Sequence, residues 1–431
     1  MELREYQLLG ENIHRHRLEN GLEILVDVRP EYAKQFAFFA TRYGGMHLRF
    51  HNEDGHWVDT PAGVAHFLEH KMFDSEEGNV LQIMAANGAV DNAFTAAAIT
   101  GYYFECTRGF EENLRTLLSF VTTPYFTEES VAKEQGIITQ EIRMCLDDPD
   151  VEVYYQLMEA MYQNHPVRVR VAGSEASIAQ ITPEVLYRCH EAFYRPDNMV
   201  LCVAGSVDPQ RVVELAREIV THAGGGVGQA DLGQKEPVQV AQSYVQREMP
   251  VSVPVFELGV KGTPAPEGQE LRQQLVGELV CDVLFGASAP LYTKLYEEGL
   301  INSSFGGDYE SVPGCAYLMA GGESRDPKAV RDAVLAEAQR LCREGLDSEL
   351  WERLKKAAYG SMVRRLNSLE DTCIELAQNY FRGEEYLNFP QCFQSIEWAD
   401  ARAMLEQWCV PERVALSVVC PVGTGDQERW D

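Results

Sequence analysis

The chain has 431 residues, of which 45% are hydrophobic and 24% charged, with a formal net charge of −29. This length favours two domains over one core, and the composition is that of an ordinary globular chain. So acidic a chain speaks against nucleic acid and against anionic membranes as partners.

Residues 22–28 and 36–43 read as strands, the second closed by Gly44 and Gly45. The stretch 46–60 is polar and reads as a loop, so His47, His51 and His56 are expected to be solvated rather than ligating. Thr60 is a suitable N-cap and Pro61 suits a first helical position, which predicts a helix from about residue 61. On that helix His66, Glu69 and His70 fall within roughly a 100° arc, with Val64, Phe67, Leu68 and Met72 opposite. Two imidazoles one turn apart can share one Zn²⁺. A carboxylate beside them is placed to take a proton from an attacking water and return it to a leaving amine. The order His-x-x-Glu-His is the inverzincin signature. Three polar residues meeting by chance on a surface helix is the bland alternative. The apolar flanks argue for burial, where such groups are costly unless a partner such as a metal satisfies them.

Residues 79–88 read as a helix closed by Gly88, and 89–95 and 100–106 as two strands of a hairpin. A helix follows from about Glu111 through Val121. Thr127 to Leu146 forms the second chemical element, with Thr127 as cap and Glu128 and Glu129 in the first turn. Glu134 and Glu141, seven apart, lie about 20° from each other and share a stripe with Ile137, Ile138 and Cys145. They either reach water at the stripe's edge or serve a metal. Beside His66 and His70 the second reading is favoured, with Glu141 as third ligand and Glu134 as its helper.

Helices fit 182–195 and 209–221, around a buried strand from Met199 to Ala204. The Gly-rich stretch 224–237 is the best linker, dividing residues 1–223 from 238–431. The second half has a similar rhythm. Strands fit 253–262, with Pro254 suggesting an edge, 315–320 and 414–419. Helices fit 268–286, 288–298, 327–343, 347–366 and 368–382. No second His-x-x-Glu-His occurs, so an old duplication with chemistry in one half is suggested. The 11 cysteines include no Cys-x-x-Cys pair and several lie in apolar runs. With no apolar leader and no run of 18 apolar residues, the expectation is a cytoplasmic protein without a membrane span.

His66-Phe67-Leu68-Glu69-His70, Asn92-Ala93-Phe94-Thr95, Glu134 with Glu141, and Tyr194-Arg195-Pro196-Asp197-Asn198-Met199 resemble the pitrilysin/insulinase family of zinc peptidases. That family includes the mitochondrial processing peptidase, and the short two-domain bacterial-type members are the most similar. The resemblance implies an α+β fold of two homologous α/β-roll domains, each a mixed, mostly antiparallel sheet against helices, together half of a clamshell. It implies Zn²⁺ on His66, His70 and Glu141, Glu69 as general base, and Glu134 in support. It implies that Asn92 and Ala93 pair with the backbone of a peptide substrate on an edge strand. Active members also use an Arg and a Tyr seven apart in the second half. Leu295 and Asn302 stand at those positions here. The resemblance therefore implies a zinc endopeptidase whose carbonyl-binding pair comes from a related subunit in a heterodimer. The alternatives are a homodimer using Tyr296 or Tyr309, and a non-catalytic assembly subunit.

Overall fold

The computed structural model describes residues 1–52, 55–75, 78–225 and 230–423. In chain order, strands β1 (Glu2–Tyr6), β2 (Glu11–Arg17), β3 (Glu23–Val28) and β4 (Gln35–Thr41) come first. A small ribbon of β5 (Arg49–His51) and β6 (Trp57–Asp59) precedes helix α1 (Val64–Lys71). Then come β7 (Asp74–Ser75), β8 (Gly78–Asn79), α2 (Val80–Ala86), β9 (Ala89–Thr95) and β10 (Thr100–Cys106). Helices α3 (Phe110–Thr122), α4 (Glu128–Leu146), α5 (Pro149–Met161), α6 (Glu175–Ile178) and α7 (Pro183–Phe193) lead to β11 (Met199–Gly205) and α8 (Pro209–Ile219). The later part holds β12 (Tyr244–Met249), β13 (Val255–Lys261), α9 (Glu270–Phe285), α10 (Pro290–Glu297), β14 (Gly306–Val312) and β15 (Cys315–Glu323). It ends with α11 (Pro327–Glu344), α12 (Ser348–Arg365), α13 (Leu369–Phe381), α14 (Phe389–Gln394), α15 (Trp398–Trp408) and β16 (Val414–Pro421).

The fold is α+β. The chain forms two compact units, each built on one mixed sheet. The first sheet has the order β1-β2-β3-β11-β4-β10-β9 and the second β12-β16-β13-β15-β14. In each sheet one pair is parallel, β3 with β11 and β12 with β16, and the others are antiparallel. Strand for strand, β3-β11-β4-β10-β9 repeats in β12-β16-β13-β15-β14 with the same senses. This shared topology is the signal that the sequence carried only as a diffuse rhythm.

Neither unit is contiguous, which corrects the division into 1–223 and 238–431. The first unit holds 1–142, 170–232 and 363–388, and the second holds 143–169, 233–362 and 389–431. The reason is hydrophobic. Helix α5 buries Val153, Leu157, Met158 and Met161, and it packs on β16 and β13 of the second sheet. Gly259 makes room for it, since a Cβ there would lie 2.4 Å from the Met161 sulfur. Helix α13 buries Leu369, Cys373, Leu376 and Ala377, and it packs on β11 and β4 of the first sheet. Of the Gly-rich linker 224–237, residues 226–229 lie outside the described residues.

Three further expectations are corrected. Residues 49–51 and 57–59 pair as a ribbon rather than forming a featureless loop. His47 is not solvated: it is 8% exposed, its Nδ1 accepts from Gly44 N at 3.0 Å, and burial pushes its pKa down to about 4. Strand β13 is not an edge: it starts at Val255, just after Pro254, and pairs on both sides. The stretch Glu270–Glu297 is apolar and long enough to cross a membrane, but 61% of its most apolar part is buried inside the protein. It is also broken between α9 and α10, and it serves as core of the second unit.

Candidate metal centre

Helix α1 starts at Val64 rather than residue 61, because Gly63 takes a left-handed φ of 95° and stops the turn from extending back. Only glycine fits there, since a Cβ would lie 2.6 Å from the Ala172 carbonyl oxygen. Thr60 does not cap the helix; its hydroxyl donates to the Leu48 carbonyl at 3.1 Å. Val64, Ala65, Phe67 and Leu68 are buried and fix the helix against the sheet. Lys71 is also buried and pairs with Asp74. His66 and His70 are left facing the one open side, their side chains 12% and 27% exposed and their rings 4.6 Å apart.

Helix α4 supplies the acids. Thr127 caps it, its hydroxyl oxygen accepting from Ser130 N at 3.1 Å. Its core face is Val131, Ile138 and Ile142. Of the expected stripe of Glu134, Glu141, Ile137, Ile138 and Cys145, only Ile138 is core: Ile137 is 47% exposed and Cys145 is half-buried. This face lies open, and both carboxylates reach α1 from it. Glu141 Oε1 lies 3.3 Å from His66 Nε2, and its Oε2 lies 3.6 Å from His70 Nε2. Glu134 Oε1 accepts from His70 Nδ1 at 3.1 Å.

His66, His70 and Glu141 each offer one ligand atom within 4.8 Å of the others. The arrangement fits a divalent cation. In neutral His70 the Nδ1–H donates to Glu134, so Nε2 turns a lone pair toward the Glu141 carboxylate, and two acceptors face each other unless a cation lies between them. Two imidazoles and one carboxylate are also the donor set of open zinc sites that keep a fourth position free. Burial works against the charged form of His70. The hydrogen bond to Glu134 and the charges of Glu69, Glu141 and Glu134 outweigh it, so its pKa is raised. The hydrogen bond with His66 lowers the pKa of Glu141, against burial. Both shifts express one local demand for positive charge. His66 Nδ1 is buried without a hydrogen-bond partner among the described residues.

Glu69 is 8% exposed and stands outside the ligand group; its Oε2 accepts from the Thr95 hydroxyl at 2.7 Å. Thr95 is a contact that sequence reasoning did not assign. The only hint was its place in the Asn92–Thr95 run. Asn92 and Ala93 lie on β9, the edge of the first sheet, where the Asn92 amide donates to the Tyr103 hydroxyl at 3.2 Å. In the second unit Leu295 is fully buried in α10, and the Asn302 amide donates to Glu323 at 2.7 Å. Tyr296 is 54% exposed, whereas Tyr309 is 8% exposed and its hydroxyl accepts from Gln273 at 3.1 Å.

Comparison with known proteins gives a consistent result. Residues 53–175 match the family described as Insulinase (Peptidase family M16). Residues 180–358 match the one described as Peptidase M16 inactive domain. The chain is 34% identical to the uncharacterized zinc protease YmfH of Bacillus subtilis (strain 168), over 97% of this chain and 98% of that one. The structure of an M16-like peptidase from Alicyclobacillus acidocaldarius superposes with a TM-score of 0.91 at 31% identity, covering 95% and 98% of the two chains. A protease from Helicobacter pylori shares the fold, with a TM-score of 0.83 at 17% identity over 95% and 99%.

Proposed function

This chain belongs to the insulinase family of peptidases, and on that premise we propose that it is a zinc-dependent endopeptidase acting on peptides or unfolded segments. The observation that carries the reading is the convergence of His66, His70 and Glu141 on one point. Zinc at that point would act as a Lewis acid on the scissile carbonyl and make water a better nucleophile near neutral pH. The protein's own residues do the rest. Glu69 takes the proton of the attacking water and hands it to the departing amine. Glu134 holds His70 in the tautomer that leaves Nε2 free. The edge strand β9, with Asn92 and Ala93, pairs with an extended substrate backbone and so reads conformation more than sequence.

Leu295 has no donor, and the Asn302 amide is already committed to Glu323 Oε2 at 2.7 Å, so neither replaces an Arg and a Tyr at a developing oxyanion; losing one such donor typically costs about 10²–10³ in rate. We therefore assign the carbonyl-binding pair to a related subunit of a heterodimer. A cytoplasmic location goes with the reading, supported by 11 cysteines that are all free. The substitutions at 295 and 302 also favour a second reading, a metal-free assembly subunit. Bound zinc and peptide cleavage, measured for wild type and Glu69→Gln with any co-purifying subunit present, separate the two. Zinc retained with cleavage lost supports the endopeptidase. Undiminished cleavage by Glu69→Gln removes Glu69 from the mechanism, and a wild type that stays metal-free after incubation with zinc favours the assembly subunit.

A further inference from the structure

We infer that Thr95 is a positioning residue that ties the general base to the strand on which the substrate lies. This rests on the assignment of Glu69 as base. A glutamate side chain has three rotatable bonds, and a base is useful only when its free oxygen points at the water it deprotonates. The Thr95 hydroxyl donates to Glu69 Oε2 at 2.7 Å, a charge-assisted bond that occupies one oxygen and leaves Oε1 to accept the proton.

Thr95 is itself held on several sides. It pairs with Thr100 across the hairpin, and the Thr100 hydroxyl lies 3.3 Å from Thr95 Oγ1 while bonding the Tyr43 carbonyl at 2.9 Å. One residue on, Ala96 N bonds Ile99 O at 2.8 Å and closes the turn. The carbonyls of Ala96 and Ala97 accept from Gly45 N and Met46 N at 3.0 and 2.9 Å. The fit is backbone against backbone, since a Cβ on Gly44 would lie 2.4 Å from the Ala96 oxygen. The hydroxyl that fixes Glu69 is thus fixed by main chain, and its β-branched side chain has few rotamers. Thr95 also lies only three residues from Asn92 on the same strand, about 10 Å at roughly 3.3 Å per residue. A peptide paired along β9 therefore meets the base in a register set by that one strand.

The test uses the full chain loaded with zinc, with its co-purifying subunit where there is one. Thr95→Val keeps the shape and removes the donor, and Thr95→Ser restores the donor. The expected result for Thr95→Val is a fall in kcat of about 10²-fold, the typical cost of a misplaced catalytic group, with KM and zinc content unchanged. Thr95→Ser should recover most of it. Crystal structures of the zinc-free variants give a readout that needs no activity: the Glu69 carboxylate turns away from β9 in Thr95→Val and stays in Thr95→Ser. Unchanged kcat, a loss carried by KM, or no rescue by serine overturns the inference. A wild type inactive on every peptide defeats the endopeptidase reading instead. In that case an unmoved Glu69 in the Thr95→Val crystal still overturns the role of Thr95.

Discussion

Replacing Glu134 tests whether the two α4 acids that reach α1, Glu134 and Glu141, have different roles. Glu134 touches the candidate metal group only through His70 Nδ1, at 3.1 Å, and its side chain is 15% exposed. Removing such an outer partner typically costs 10- to 100-fold in metal affinity, which is about 1.4–2.7 kcal/mol. Glu134→Ala loses both the acceptor and the charge and should show the upper part of that range. Glu134→Gln keeps an acceptor of the same shape and should lose less. Without metal, Glu134→Ala loses only the hydrogen bond to His70, a contribution of about 0.5–1.5 kcal/mol. The zinc-free variant should therefore unfold only slightly more easily than zinc-free wild type, and most of the loss should appear in the stabilisation that zinc adds. Competition titration against a chelator measures the affinity, and urea unfolding with and without zinc measures the linkage. Wild-type zinc affinity in Glu134→Ala would refute the reasoning, as would an equal loss of stability with and without metal.

Two other predictions concern the second unit. Lys261 is 2% exposed, and its ammonium donates to Met161 O and Glu236 Oε1 at 2.7 Å and to Gln239 O at 3.0 Å. Glu236 also accepts from the backbone N–H groups of Gln163, Asn164 and His165. Glu236→Ala strands a buried cation and three amides and should cost about 3–5 kcal/mol, whereas Lys261→Met leaves Glu236 its three amides and should cost less. Urea unfolding that ranks the two variants the other way would sink this account. Burial, followed by the charges of Asp150 and Asp308, pushes the pKa of Glu257 up to about 7, and its Oε2 has no hydrogen-bond partner among the described residues. Its folded pKa lies above the ordinary 4.5, so the native state holds an extra proton between these values. That contribution is complete below about pH 4.5 and is lost as pH rises through about 7, on the order of 3 kcal/mol. Glu257→Gln should match wild type in stability near pH 4.5 and exceed it at pH 8. A stability difference that does not vary with pH would contradict the sign.

What could be read in the sequence follows from what each signal depends on. Strands β9 and β10 fall at 89–95 and 100–106 as expected, because their alternation and flanking turns are local. Strands β1 and β2 escaped because Glu-Leu-Arg-Glu-Tyr and Glu-Asn-Ile-His-Arg-His-Arg carry polar residues on both faces, and only Tyr6 and Ile13 among them are buried. Helix α5 was overlooked although Val153, Leu157 and Met161 recur every four residues. The face of α1 was legible because helical spacing alone gathers His66, Glu69 and His70. Glu141 needed that motif to single it out, and the true core face of α4 shows only once the fold decides which side is covered. Thr95 acts on Glu69 from 26 residues away, so no local pattern could reveal it.

The reach of α13 back to the first sheet bears on how the protein is made. Strands β3 and β4 leave the ribosome early, yet one apolar face of β4 and β11 stays bare until residues 369–381 have been synthesised. Closing such a long loop is slow, and uncovered sheet is prone to aggregate in the meantime. A nascent chain halted near residue 225 should consequently need a chaperone, and cutting the gene at the glycines should yield two insoluble fragments.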